Sequence, residues 1–380
     1  MPEPYPALRP LPESLKTPAW AGVATAIEGG PDTDVVVSTR ARLARNIEGY
    51  SFPARASEAE LRRIAQSVRQ VAHADTGRLI DLIPVEIASL SPRDRAELVD
   101  ARRISPDLAS SSGIERYALL DTTGRISIFV NEEDHVRLQA LALGNAPQVA
   151  LRDVQDVEAR LGCRLHWAQD AQKWGYLTAA MSNTGTGLRL SVLAHLPALV
   201  FVDRLDRVFD AAKQLGVSVR GAHGEHSVAA GDLFQVSNEQ TLGISVENTA
   251  GRVRSFADIL VRDERNARRE VAGDRNRRDR AMKASRFAWE RTTTSDRLSA
   301  RDSLEILSSL RLCAVCGLMP WRHDYQIKTA PDDQLFAHLL AELRTGGGLT
   351  GSEGASALRD AIGRPALLRS ALAPVYIGSV

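Results

Sequence analysis

Arg125-Ile126-Ser127-Ile128-Phe129-Val130-Asn131-Glu132-Glu133-Asp134-His135 reads as a strand that runs directly into three consecutive carboxylates. Ile126, Ile128 and Val130 recur with the period of two of a half-buried strand, so the acids fall at a strand end. Negative groups packed this closely repel one another unless magnesium, arginines or a cationic substrate neutralise them. The chain also carries a matching set of glycine-flanked arginines, and the two together imply phosphate chemistry on a cationic acceptor.

Three further segments extend that reading. Ser38-Thr39-Arg40-Ala41-Arg42 follows the apolar run Val35 to Val37, and if the strand continues, Arg40 and Arg42 project from one side as two forks suited to a polyphosphate. Ser182-Asn183-Thr184-Gly185-Thr186-Gly187-Leu188-Arg189 has glycines that permit close backbone approach to a ligand, with Arg189 as another fork. Arg220-Gly221-Ala222-His223-Gly224-Glu225-His226 reads as a loop with one more arginine and one more acid, and Arg137 stands just beyond the first acidic cluster.

With 380 residues the chain can hold two or more domains, and 44% hydrophobic with 25% charged residues is ordinary for a globular protein. A net charge of +1 excludes a global polycation for nucleic acid. Met1 to Pro6 lacks the basic and apolar regions of a leader, and no apolar run approaches a membrane span, so a cytoplasmic protein is expected. Cys163, Cys313 and Cys316 make no disulfide framework; Cys313 and Cys316 fall within the helically spaced Leu304, Leu307, Leu310, Leu312 and Val315 and read as a buried stripe rather than a redox or metal site.

Residues 1–30 form a Pro-, Ala- and Gly-rich tail, 31–255 a mixed α and β domain, and 256–380 a helical, highly charged domain. Arg262, Arg265, Arg268, Arg269, Arg275, Arg277, Arg278 and Arg280 read as a solvated helix face. Ser299-Ala300-Arg301-Asp302 has the spacing of a helix start, and no internal repeat is present.

Four ordered blocks resemble the phosphagen (guanidino) kinase family: STRARLARN (Ser38 to Asn46), VNEEDHVRLQ (Val130 to Gln139), GYLTAAMSNTGTGLRLSVLAHLPAL (Gly175 to Leu199), and RGAHGEHS with QVSNEQTLG (Arg220 to Gly243). Small-metabolite members carry a helical domain before the first block, and here Ser38 comes too early for one. The chain therefore resembles the bacterial protein-arginine kinase branch, which appends a helical C-terminal domain instead. The resemblance implies an α+β fold, a catalytic domain with an antiparallel sheet flanked by helices followed by that helical domain, and transfer of the γ-phosphoryl of ATP, with Mg²⁺, to arginine side chains of proteins.

Residue by residue, it implies that Ser38, Thr39, Arg40, Ala41, Arg42, Arg137, Arg189, Leu190, Ser191, Val192, Leu193, Arg220, Gly221, Ala222, His223, Gly224 and Glu225 contact ATP. Glu133 and Glu225 would grip the acceptor guanidinium, and Glu132 with Asp134 would address the magnesium that arrives with ATP, no metal being held directly. Arg102 stands where the family often has a His near the adenine, and Ala180-Met181-Ser182-Asn183 where it has Cys-Pro-Thr/Ser-Asn, so the thiol thought to lie against the acceptor is missing. Arg359, Asp360 and Arg364 resemble an element that senses phosphoarginine, though one extra residue separates the arginines and Pro365 replaces an Ala. Further implied partners are an activator protein, a Clp-type protease in a stress response, and a second copy of the chain in a homodimer, with no nucleic acid or membrane. A regulatory adaptor with feeble catalysis and a free-arginine kinase remain as alternatives.

Overall fold

The computed structural model describes residues 30–111, 113, 115–221, 229–318 and 363–369, together with Pro12 and Leu15. Ten strands are present among them: β1 (Val36–Arg45), β2 (Ile83–Glu86), β3 (Tyr117–Leu120), β4 (Ile126–Val130), β5 (Val136–Leu143), β6 (Gln169–Asp170), β7 (Gly175–Tyr176), β8 (Leu188–His195), β9 (Val217–Gly221) and β10 (Leu233–Asn238). Eight of them form one sheet in the order β2-β3-β4-β5-β1-β8-β10-β9, and β6 pairs with β7 alone. Every pairing in the large sheet is antiparallel. β1 is its centre, and it continues unbroken from the apolar Val36 through the Ser38–Arg42 block to Arg45.

The helices are α1 (Glu58–Ala74), α2 (Pro92–Asp100), α3 (Pro106–Ser110), α4 (Pro147–Gly162), α5 (Pro197–Phe201), α6 (Leu205–Leu215), α7 (Val246–Gly273), α8 (Arg275–Thr294) and α9 (Ala300–Val315). Strand alternation sends Ala41, Leu43, Leu138, Ala140, Leu190 and Val192 to one side, where they share a cluster with Ile64 and Val68 of α1, Val154 and Val157 of α4 and Phe256 and Leu260 of α7. On the other side the β3–β4 end is covered where Ala118, Leu120 and Phe129 pack with Leu98 of α2 and Leu108 of α3. The strip over β5, β1 and β8 on that side carries polar side chains, and these make the candidate site.

The expected boundary after residue 255 falls inside α7, a continuous helix of 28 residues whose Val253 and Phe256 lie in the same core cluster. α8, α9 and the helical turn at 363–369 add a second cluster, where Ala288, Leu304, Leu307 and Leu368 gather around Val37 and Leu193 at the end of β1 and β8, while Ala281, Leu312 and Cys313 join the main core. The charge run is also less uniform than it reads. Arg262, Arg269, Arg275, Arg278 and Arg280 are exposed, but Arg268 is buried between Glu264 and Asp34. Glu264 is buried because its carboxylate accepts the Ala198 and Leu199 amides at the open N-terminus of α5, and Arg268 neutralises it.

Ser299 caps α9 as its spacing predicts, its side chain accepting the Asp302 amide. Cys313 is buried and Cys316 half-buried at the end of that helix, and burial pushes the Cys316 thiol up to about 12, the state of a packed rather than a reactive sulfur.

Candidate active site

Pairing register builds the site. Arg42 on β1 lies directly opposite Gln139 on β5 and Arg189 on β8; Arg40, two residues back on the same face, lies opposite Ser191; Arg137 on β5 lies opposite Ala44. Side chains on facing positions of neighbouring strands stand about 5 Å apart at Cβ, and like charges there repel. Arg102 reaches the same face from the turn after α2, where its φ is +57 and its carbonyl accepts the Gln139 side-chain amide at 3.2 Å. Burial, then the neighbouring Arg42, Arg102, Arg189 and Arg137, holds the Arg40 guanidinium well below its ordinary range. Burial, Arg137 and Arg189 lower Arg42 to about 9, against a pull from Glu132. Arg42 Nε is buried and finds no hydrogen-bond partner among the described residues. A sheet face built this way stores a demand for anionic oxygens, which a polyphosphate meets with several forks at once.

The acids occupy the loop of the β4–β5 hairpin, closed by Asn131 N donating to His135 O at 2.9 Å, with Asn131 at φ +57. Glu132 is buried and turns toward the arginine row; Glu133 is exposed. Arg137 bridges them, Nη1 at 2.5 Å from Glu132 Oε2 and Nη2 at 2.9 Å from Glu133 Oε2. Burial pushes the Glu132 carboxyl above the usual carboxylate range, while Arg137 and the Ser105 hydroxyl hold it down. Ser105 also caps α3, accepting the Leu108 amide, so the helix that walls this side of the site is tied to the acid.

Asp134, expected near the magnesium that arrives with ATP, is held inside the fold. It is fully buried, and Oδ1 accepts from Asn46 Nδ2 and from the Ala179 amide, both at 2.7 Å. Asn46 in turn accepts the His135 amide and donates to Leu177 O, so the end of β1, the acidic loop and the 177–180 segment are locked together. His135 is neutral in this lock: Nδ1 accepts the Ile47 amide, leaving Nε2–H to donate to Ser51 O, and burial lowers its pKa. A magnesium ion arriving with ATP would find one carboxylate, Glu132, facing the row, which suits an ion that keeps phosphates and waters as its other ligands.

Strand alternation also divides the expected nucleotide residues. Ser38, Arg40, Arg42, Arg189, Ser191 and Leu193 share the arginine face. Thr39, Ala41, Leu190 and Val192 do not: Ala41, Leu190 and Val192 lie in the helix-covered core, and Thr39 Oγ1 donates to Gly144 O at 2.6 Å. Arg220 is on the same face but at the sheet edge, opposite Gln235 on β10, two strands from β8, and Gly221 ends that strand. Ala222, His223, Gly224 and Glu225 lie outside the described residues, as do Arg359 and Asp360. Arg364 is buried and donates to Leu298 O at 3.3 Å. Sequence reasoning missed the roles of Ser105, Gln139 and Asn46; the Ser105-Pro106-Asp107 cap signal was available for the first.

The segment carrying Ala180 is a tight loop. Thr178 Oγ1 donates to Ala180 O at 2.8 Å, the Asn183 amide donates to the same carbonyl at 3.0 Å, and Thr241 Oγ1 donates to Ser182 O and Thr184 O. Gly185, at φ +113, sits so close to Thr241 that a Cβ would run into its carbonyl.

The domain family described as ATP:guanido phosphotransferase, C-terminal catalytic domain, matches residues 63–267, which takes in the acidic hairpin and Arg102, Arg137, Arg189 and Arg220. The protein-arginine kinase of Symbiobacterium thermophilum is 38% identical over 304 residues, covering 78% of this chain and 84% of the relative. That of Geobacillus kaustophilus is 39% identical over 243 residues, covering 64% of this chain and 66% of the relative. Among solved structures a lombricine kinase superposes with a TM-score of 0.55 at 22% identity, over 63% of this chain and 68% of the other. The duplicated taurocyamine kinase of Schistosoma mansoni with transition-state analogue components gives 0.54 at 24%, over 63% and 34%. At those identities the two structures speak for the fold.

Proposed function

The chain belongs to the ATP:guanido phosphotransferase family and is an ATP:guanidino phosphotransferase, and from that premise we propose that it transfers the γ-phosphoryl of MgATP to arginine side chains of proteins. The observation that carries the reading is the meeting of the arginine row with the acidic hairpin, where Glu132 and Glu133 already hold one guanidinium, that of Arg137. Relatives that are 38% and 39% identical bear the name protein-arginine kinase, which supports a protein acceptor.

An arginine side chain has a pKa of roughly 12.5 to 13.8, so freeing a neutral nitrogen nucleophile at pH 7 costs about 7 to 9 kcal/mol. Glu133, exposed at the hairpin tip, aligns the acceptor fork and takes its proton as the N–P bond forms, and Glu225 is the second acceptor carboxylate that the sequence resemblance implies. Arg40, Arg42, Arg137, Arg189 and Arg220 hold the phosphates and balance charge on the transferring group, and Arg102 lies against the base. Glu132 would hold the magnesium that travels with ATP, an ion that would draw charge from the phosphates. Arg137 has two tasks: without nucleotide it quiets the acid pair, and with nucleotide it turns to phosphate.

In the same reading the helical C-terminal part mediates homodimer formation, Arg359, Asp360 and Arg364 sense phosphoarginine, and marked proteins pass to a Clp-type protease in the cytoplasm under control of an activator. These points rest on the sequence resemblance. Ala180 favours one other reading, an adaptor that binds nucleotide with feeble catalysis.

One experiment separates the readings. The purified chain is incubated with MgATP and either a basic unfolded protein or free arginine, and acid-labile phosphate is mapped by mass spectrometry. Phosphoarginine in the protein is expected. Phosphorylation of free arginine alone, or nucleotide binding without transfer, would reject it.

A further inference from the structure

Among the described residues four large apolar side chains are exposed: Ile80, Met181, Leu242 and Phe287. Two of them are neighbours. Met181 is 75% exposed and Leu242 44% exposed, and they stand one residue either side of the 2.9 Å hydrogen bond from Thr241 Oγ1 to Ser182 O. We infer that Met181 and Leu242 form an apolar shelf for the residues flanking the target arginine of an acceptor polypeptide, an inference that rests on the protein-arginine reading above.

The place of the shelf is fixed by three sets of contacts. Thr241 grips the 182–186 segment through Ser182 O, Thr184 O and the Thr186 amide, the last donating to Thr241 O at 2.9 Å. Gly185 brings the two backbones together where a side chain would not fit. The Ala179 amide donates to Asp134, which adjoins Glu133, so the shelf is tied to the acidic hairpin by a buried hydrogen bond. Met181 follows Ala179 by two residues, at most about 7 Å of chain. An extended acceptor with its arginine at Glu133 therefore brings its next one to three residues over Met181 and Leu242.

The chemistry of the shelf fits an acceptor of varied sequence. Met181, held in water at the tip of a hydrogen-bonded loop, is left largely uncovered by the described residues. Its flexible, polarizable thioether adapts to differently shaped apolar partners, which suits an enzyme that meets many clients. The carboxylates fix the guanidinium, and the shelf adds selection for apolar neighbours, such as those exposed in unfolded chains. Charge alone would not provide that selection.

The test uses the full chain, MgATP and two peptides with a single arginine, alike except that the arginine is flanked on both sides by leucine or by serine, with free arginine as a third acceptor. Partial burial of the flanking leucines predicts a preference in kcat/KM of roughly tenfold for the leucine peptide. Met181→Ser with Leu242→Ser should remove that preference by lowering the leucine peptide alone, leaving the serine peptide and the KM for ATP unchanged, and Met181→Leu should restore most of it. Equal use of both peptides by the parent, or equal loss of both in the double variant, would overturn the shelf while leaving the protein-arginine reading intact. Phosphorylation of free arginine and neither peptide would overturn that reading and the shelf with it.

Discussion

Arg42→Met should make the nucleotide-free protein more stable while removing its response to ATP. Arg42 stands directly across from Arg189, with Arg40 and Arg137 on the same face, and burial with Arg137 and Arg189 lowers its pKa to about 9. Two charges about 6 Å apart at an effective dielectric of 20 repel by about 3 kcal/mol. Attraction to Glu132 offsets part of this, and methionine keeps most of the packing, so the variant should gain roughly 2 kcal/mol without nucleotide. ATP at a hundred times its Kd stabilises the parent by about 2.7 kcal/mol. Loss of one buried fork with two charge-assisted bonds weakens binding on the order of a hundredfold, which leaves the variant only about 0.4 kcal/mol of stabilisation at the same concentration. Urea unfolding with and without MgATP reads both quantities. A variant less stable without nucleotide, with its ATP response intact, would refute the view of Arg42 as a strained phosphate ligand and make it a structural residue.

Asp134→Ala should cost about 2 to 4 kcal/mol in urea unfolding, because it strips buried acceptors from Asn46 and the Ala179 amide, and should leave the magnesium dependence of ATP binding unchanged; a shifted magnesium midpoint would return Asp134 to the metal. Asp232 is raised to about 6, chiefly by burial, so the folded state keeps a proton that the unfolded state has lost, and stability falls as pH rises from about 4 to 6. Asp232→Asn, at a φ of +53 that asparagine tolerates, should flatten that fall by roughly 2 kcal/mol relative to the parent, as measured by urea midpoints across this range. Ala180→Cys should hold or raise activity and make transfer sensitive to thiol-directed reagents that the parent resists, since Cys313 is buried with a raised pKa; inactivation of the parent, prevented by ATP and acceptor, would show that a native thiol lines the site.

What the sequence made legible was what local pattern controls. Period two in Ile126, Ile128 and Val130 located β4 and placed the acids at its end, and the run Val36 to Arg45 made β1 continuous enough to put Arg40 and Arg42 on one face. The same alternation, applied along each block, puts Ala41, Leu190 and Val192 in the core and turns Thr39 toward Gly144. Contacts between distant segments were not legible. Nothing local distinguishes Arg268, which neutralises a buried carboxylate, from the exposed Arg269 beside it. Asp134 reads like Glu132 and Glu133 until Asn46 and Ala179, 88 and 45 residues away, claim its carboxylate.

The most direct measurement follows phosphorus by NMR in a single reaction of the full chain, MgATP and an unfolded arginine-rich polypeptide, beside Glu133→Gln under the same conditions. The parent should convert ATP to ADP with an N-linked phosphoryl resonance on the polypeptide growing in equal amount. Glu133→Gln should keep ATP affinity within a few-fold and show almost none of that resonance. Near-parent transfer by Glu133→Gln, or ADP formed without an N–P signal, would contradict an acidic hairpin that presents arginine to a phosphate-holding sheet.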